Sequence, residues 1–386
     1  MLRKGLYALA GLLILVGLWG FFGRLTTGHE QVGYGSYVVW GLWVAQYVFF
    51  VGLAGGLFFF ATLDYLFGLR LFVGLGRVAL FAALVSLGTG LFFIWVDLGH
   101  PLRIWKVYFN PNFQSVMTQI VWGYTAFGAL TLAALALSAG RGAARRGLNL
   151  LLVGGVVLAL FLSGGVGALF GVVGSRPFWH VGLLPVQFPV FSVASGAAAL
   201  LVIVSLFTDR HDALRSSRLW ALALLTIGLQ LAKLYFLWAD FSQSVYGGTP
   251  QNIDAVNAVL YGQYWWSFWL LQLLAGSLIP IAILALPRMA RNGTAAGLAG
   301  MLTLVGFAVA RVNIILPALA VPEIEALARA YVEPRLQFSY FPSAMEWAVS
   351  AGIIGLAGLV FLVGLDRLPL LVTGKEGGPK TWKTAN

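Results

Sequence analysis

Asp97, His100 and Arg103 sit close together in Ile94–Arg103 (IWVDLGHPLR), at the end of an apolar run long enough to cross a bilayer. A carboxylate, an imidazole and a guanidinium at a membrane edge can exchange protons near neutral pH and stabilise a developing anion. Pro101 stops the preceding helix, so the group is expected at a helix end, where hydrocarbon gives way to headgroups. The pattern recurs: Phe92–Asp97 (FFIWVD) has a counterpart in Tyr235–Asp240 (YFLWAD). Lys233 precedes Asp240 by two helical turns on the same face, so the two can share surroundings without touching. Arg311 and Glu346 also fall in the half of their apolar runs that Asp97 terminates, whereas Asp64 falls near the opposite end. Ionised groups in hydrocarbon cost about 2.5 kcal/mol or more on insertion scales, so Asp64, Lys233, Asp240, Arg311 and Glu346 are candidates for a proton path. Structural pairing or snorkelling is the alternative for Lys233 and Arg311.

The other chemistry the chain could do is narrow. Cysteine is absent, which removes disulfides, thiolate zinc sites, iron–sulfur ligation and covalent haem attachment. His29, His100, His180 and His211 all fall in connections between apolar runs, so no pair of histidines is available to hold a haem between membrane helices. No HExxH motif or His/carboxylate set points to a metal centre. The chain is therefore expected to hold no haem, no metal and no iron–sulfur cluster.

The elements that must position these residues are membrane helices. The 386 residues are 60% hydrophobic and 10% charged, which describes an all-α polytopic membrane protein. The net charge of +11 is spread between apolar runs without a basic block, so nucleic acid is not an expected partner. Spans are expected at 5–22, 36–68, 77–97, 116–139, 149–173, 189–207, 219–241, 264–286, 295–320 and 343–365. The second is longer than a bilayer needs and should tilt or project. Sixteen of the 24 lysines and arginines fall on the side of the termini and six on the other, with Lys233 and Arg311 inside spans, so both termini should be cytoplasmic. Amphipathic patterns in Asn252–Leu260 and Pro322–Tyr331 fit short helices on the opposite surface. Gln46, Phe50 and Gly55 match Gln187, Phe191 and Gly196 at an offset close to that of the Trp-x-Asp pair. A duplicated unit follows: 1–33 as a first helix and loop, 34–173 and 174–320 as two four-helix bundles of the same direction, and 321–386 as an amphipathic segment, a last helix and a tail.

GLAGG (52–56), WVDLGHPLR (95–103), NPNFQSVMTQIVWG (110–123), ARVNIILPAL (310–319) and YFPSAMEW (340–347) together resemble the NrfD family, most closely its ten-helix branch, over nearly the whole chain. The family includes membrane subunits of polysulfide reductase, of a periplasmic-facing hydrogenase and of the Dsr complex. The resemblance implies a subunit with no redox centre of its own in a bacterial or archaeal plasma membrane. It implies reaction with menaquinone or ubiquinone near the outer face. Electrons would pass to or from an iron–sulfur partner and a catalytic partner, which in this family is a molybdopterin enzyme, a hydrogenase or a multihaem cytochrome. Polysulfide-reductase-like members have a histidine on the GLAGG helix where this chain has Tyr47. Tyr47, Asp97, His100 and Arg103 are accordingly the expected quinone-binding residues, with Asp97 and His100 moving protons. Arg103 either holds the quinone oxygen or pairs with Asp97, and the whole cluster could instead fix the loop and dock the partner. A secondary transporter is the other class that the duplicated bundle and its buried charges would serve.

Overall fold

Hydrocarbon offers main-chain amides no partners, so a chain this apolar must satisfy them within helices. The computed structural model describes residues 2–140, 143–324, 326–331, 333 and 335–371, and among these it contains no strand. Arg141, Lys375, Lys380 and Lys383 of the charge count lie outside the described residues, as does Glu325 of the second amphipathic segment. Among the described residues ten helices are long and apolar enough to span a membrane: α1 (Leu2–Thr27), α2 (Leu42–Tyr65), α3 (Gly76–Asp97), α4 (Val116–Leu137), α5 (Ala144–Gly171), α6 (Leu184–Phe207), α7 (Arg215–Tyr246), α8 (Ser267–Ala285), α9 (Gly293–Ala320) and α10 (Ala344–Arg367). The start of α1 and the end of α10 therefore lie on one face, called here the termini face, and the opposite one is the Asp97 face.

Three elements differ from the sequence reading. Residues 36–41 are not helical; Gly41 is extended and α2 starts at Leu42, so the second span has ordinary length. Asp240 lies inside α7, which runs on to Tyr246, whereas Asp97 is the last residue of α3. The first part of α8, Ser267–Leu278, is wound as a π-helix. Of the two amphipathic segments, the first is a helix over Pro250–Leu260 with Ala255, Val256 and Val259 buried. The second has only a single turn, Leu327–Ala330, flanked by exposed Ile324 and Tyr331.

Helix contacts run in two circuits, α2–α3–α4–α5 and α6–α7–α8–α9, joined through α2, α5, α6 and α9. Helices α1 and α10 pack on each other, and α10 on α3. Two of these seams depend on missing side chains. On α2 and α6, Gly56 and Gly196 bring main chain against main chain, and a Cβ on Gly56 would collide with the carbonyl of Ser192. On α1 and α10, Gly17 and Gly352 face each other in the same way. Such small-residue contacts are how membrane helices approach closely without a hydrophobic driving force. Gly56→Val should therefore cost about 1–3 kcal/mol through overpacking. The check is a melting temperature in detergent, expected to fall by several degrees; an unchanged value would contradict the close approach.

Candidate functional site

The end of α3 is built by three other segments that converge on it. Its last carbonyls have no partner within the helix, and Arg24, in the last turn of α1, donates from Nε to Val96 O (3.0 Å) and from Nη2 to Leu98 O (2.7 Å). A buried cation at a helix C-terminus also meets the favourable end of the dipole. The connection from 28 to 41 then folds over this end. Tyr34 donates its hydroxyl to Asp97 Oδ1 at 2.9 Å. Burial, and then the Asp97 charge, push the Tyr34 phenol far above its ordinary range, so it remains a donor. His29 lies beside Tyr34, ring centroids 5.8 Å apart, with Nε2 buried and without a partner. Burial, and then Arg24, hold its imidazole below the ordinary value of 6.5, which keeps it neutral and able to accept a proton.

Glu346 ties the same connection to α10. It closes a capping box with Ser343 and accepts from Gly33 N (2.8 Å), Ser343 N (2.9 Å) and the Tyr340 hydroxyl. Tyr340 in turn accepts from Leu42 N at 2.7 Å, and Trp43 Nε1 donates to the Glu346 main-chain carbonyl at 3.1 Å. Glycine at 41 is needed here, because a Cβ would run into Tyr34, the Tyr340 hydroxyl and the Glu346 carboxylate. The buried carboxylate of Glu346 thus has three donors, while Asp97, only partly buried, has a single phenol donor.

Asp97 does not meet the other residues expected beside it. His100 and Arg103 are exposed on the short turn Pro101–Arg103, and neither side chain has a hydrogen bond or ion pair among the described residues. They stand instead among exposed apolar groups, Leu102, Trp105, Phe109 and Phe113. Tyr47 is buried against Tyr124, ring centroids 6.2 Å apart. Its carbonyl lies level with Gly90, seven residues or about 10 Å below Asp97 along α3. His29 takes the place beside Asp97 that sequence proximity assigned to His100, and Arg24 takes that of Arg103. No local spacing signals this, because Arg24 ends α1 and His29 lies in the connection that doubles back from it. The Ser343-x-x-Glu346 capping pattern was legible in YFPSAMEW, but its link to Gly33 and Tyr340 was not.

The remaining candidates divide by what holds them. Asp64 accepts from Gly74 N (3.0 Å) and Gly76 N (2.8 Å) and so fastens the start of α3. Arg311 is stacked on Phe188, its guanidinium carbon 3.9 Å from the ring centre, and on Phe191 at 5.2 Å, with Nη1 unpartnered. Lys233 donates to Ser277 Oγ (2.6 Å) and lies 4.7 Å above the centre of the Phe307 ring. Lys233 and Asp240 line one small cavity of ≈ 20 Å³, room for about one water, together with Gln187, Gln272 and Asn313. Asp240 Oδ1 and Gln187 Oε1 are buried there without partners. The π-helical winding explains this wall. Ser267, Gln272 and Ser277 are five apart, which in an α-helix would separate them by about 140°. Here Ser267 and Gln272 both bond Asn313, at 2.5 and 2.6 Å, and Ser277 donates to the Gln272 carbonyl at 2.8 Å.

The chain is similar in sequence to known proteins along nearly its whole length. The chain is 29% identical to a selenate reductase subunit of Mesobacillus selenatarsenatis, over 97% of this chain and 96% of that one. It is 26% identical to an Hdr-like menaquinol oxidoreductase integral membrane subunit of Archaeoglobus fulgidus, covering 95% and 93%. With the integral membrane subunit of a menaquinone reductase of Nitratidesulfovibrio vulgaris it shares 24%, covering 92% and 88%. Residues 31–323, from the connection that reaches Asp97 to the end of the second helix circuit, match the family described as Polysulphide reductase, NrfD, and the chain is a multi-pass membrane protein of that family.

Proposed function

We propose that the chain is the quinone-reactive membrane subunit of a respiratory oxidoreductase, working where Tyr34, Asp97 and His29 meet at the end of α3. The observation that carries this reading is a carboxylate of intermediate burial at the end of a spanning helix, bonded by one phenol and flanked by an imidazole whose Nε2 has no partner. The names of two relatives, a menaquinol oxidoreductase subunit and a menaquinone reductase subunit, support menaquinone as the substrate. A tail site is also at hand. An apolar groove of ≈ 300 Å³ runs between α3 and α10, lined by Phe81, Val85, Phe92, Leu356 and neighbouring residues, and rises to within five residues of Asp97.

Quinol oxidation releases two protons and two electrons. Asp97 and His29 are the acceptors for the protons, Tyr34 orients Asp97, and Arg24 offsets the charge that builds up when Asp97 is ionised. The electrons leave for an iron–sulfur partner, with a catalytic subunit beyond it, docked on the Asp97 face. His100, Arg103 and the exposed Leu102, Trp105 and Phe109 are the docking rim for that partner. The excess of basic residues around the termini supports a cytoplasmic termini face and an Asp97 face turned outward. A reporter fused within 248–260 that proved cytoplasmic would reverse this orientation.

In the assembled complex, Tyr34→Phe and Asp97→Asn should slow the quinone reaction by about 10–100-fold, the worth of one charge-assisted hydrogen bond. Electron transfer from the partner to an artificial dye should be unchanged. Normal quinone turnover in both variants would sink the site. His29 gives a pH test. Because its titration lies below 6.5, part of the acid-side fall in wild-type turnover should come as pH drops through that lower value, where the protonated ring can no longer accept a proton. His29→Phe should remove this part of the acid limb and lower the plateau; an unaltered pH profile would exclude His29 from proton transfer.

A further inference from the structure

The termini face holds a second site, remote from Asp97 and independent of the quinone reading. Between the ends of α6, α7 and α9 lies an open pocket of ≈ 900 Å³. Arg210, Arg215 and Arg291 line it, and Asp209 is the single carboxylate among the lining residues. Its deeper wall is apolar: Leu298 and Met301, each about half exposed, lie within the apolar span α9, beyond its first turn.

The cations here are placed where charge alone disfavours them. The Arg215 guanidinium packs against Gly293, the first residue of α9, so closely that a Cβ at 293 would collide with it. A cation is thereby set at the positive end of a 28-residue helix, with Arg210 in electrostatic reach. Part of this is offset. Arg215 Nη2 donates to Ser205 O (2.9 Å) near the C-terminal end of α6, and Asp209 and Asp212 act on it. Asp212, however, is held by Arg218 at 2.8 Å, and Arg215 Nε is buried without a partner. Arg291 rests 5.7 Å from the centre of the Trp220 ring, which fixes its direction without neutralising it.

We propose that this pocket binds the phosphate of an anionic phospholipid, clamped by Arg210, Arg215 and Arg291, with acyl chains over Leu298 and Met301. The arginines supply the planar donors that phosphate geometry asks for. The apolar wall distinguishes a lipid from a soluble phosphate, and basic pockets between helices at this level of a membrane are suited to such headgroups.

The test uses the assembled complex, stripped in mild detergent and offered phosphatidylglycerol or phosphatidylcholine, with bound lipid counted by native mass spectrometry. Phosphatidylglycerol should be retained in preference to phosphatidylcholine, and excess inorganic phosphate should not displace it. Replacing Arg210 and Arg291 together by glutamine should weaken retention about thirty-fold, whereas Arg70→Gln, on the same face but outside the pocket, should not. Equal retention of the two lipids would overturn the proposal, as would displacement by phosphate alone, which would mark a soluble-anion site. Undiminished retention in the double variant would also overturn it. The two wild-type comparisons decide the matter even if the double variant does not assemble.

Discussion

Two hydrogen bonds from Arg24 to the open carbonyls of Val96 and Leu98 are the contact on which the Asp97 face depends. A helix that stops near the membrane surface leaves carbonyls that water reaches poorly, and each needs a donor. Arg24 supplies two and, by doing so, brings the end of α1 against the end of α3. The connection that follows α1 must then cross the Asp97 carboxylate, which places Tyr34 on it and His29 beside it. Glu346 completes the frame by holding Gly33 and, through Tyr340, the first amide of α2. Asp97 is consequently the less satisfied of the two carboxylates, with most of its acceptor capacity open to a proton-exchanging partner.

The two helix circuits place their Trp-x-Asp aspartates differently. In the first, the Trp-x-Asp aspartate ends its helix and meets the surface. In the second, α7 continues past Asp240, which is buried with Lys233 around a water-sized cavity. The π-helical stretch of α8 adapts the wall to this interior, turning Ser267, Gln272 and Ser277 onto one side. A π-helix sacrifices regular α-helical bonding and persists where side-chain contacts compensate for it, frequently at functional positions. The second circuit therefore retains a polar interior without the surface access of the first.

Much of this was legible in the sequence. Span number follows from the lengths of apolar runs, and the family from five motifs spread over the chain, because both are local patterns that the membrane enforces. The end of α3 at Asp97 was legible for the same reason, since Pro101 and the loss of apolar residues mark where the helix must stop. Its companions were not. His100 is three residues away in sequence yet points from an exposed turn, while His29 arrives from a connection whose path is set by Arg24, Gly41 and Glu346 acting together. Asp64, expected on a proton path, accepts from one loop amide and from the first amide of α3, a role its sequence position does not reveal. The non-helical start at 36–41 and the π-helix escaped for a related reason: each is decided by side chains from helices far away in the chain, which no spacing rule encodes.

Quinone handling at the end of α3, between the 28–41 connection and α10, is the central claim, and photolabelling the assembled complex with an azido-menaquinone, followed by peptide mapping, addresses it directly. Label is predicted on peptides carrying His29 or Tyr34 and on the α3 segment that ends at Asp97, suppressed by unlabelled menaquinone. Competable label confined to α7 and α8, around Lys233 and Asp240, would contradict it.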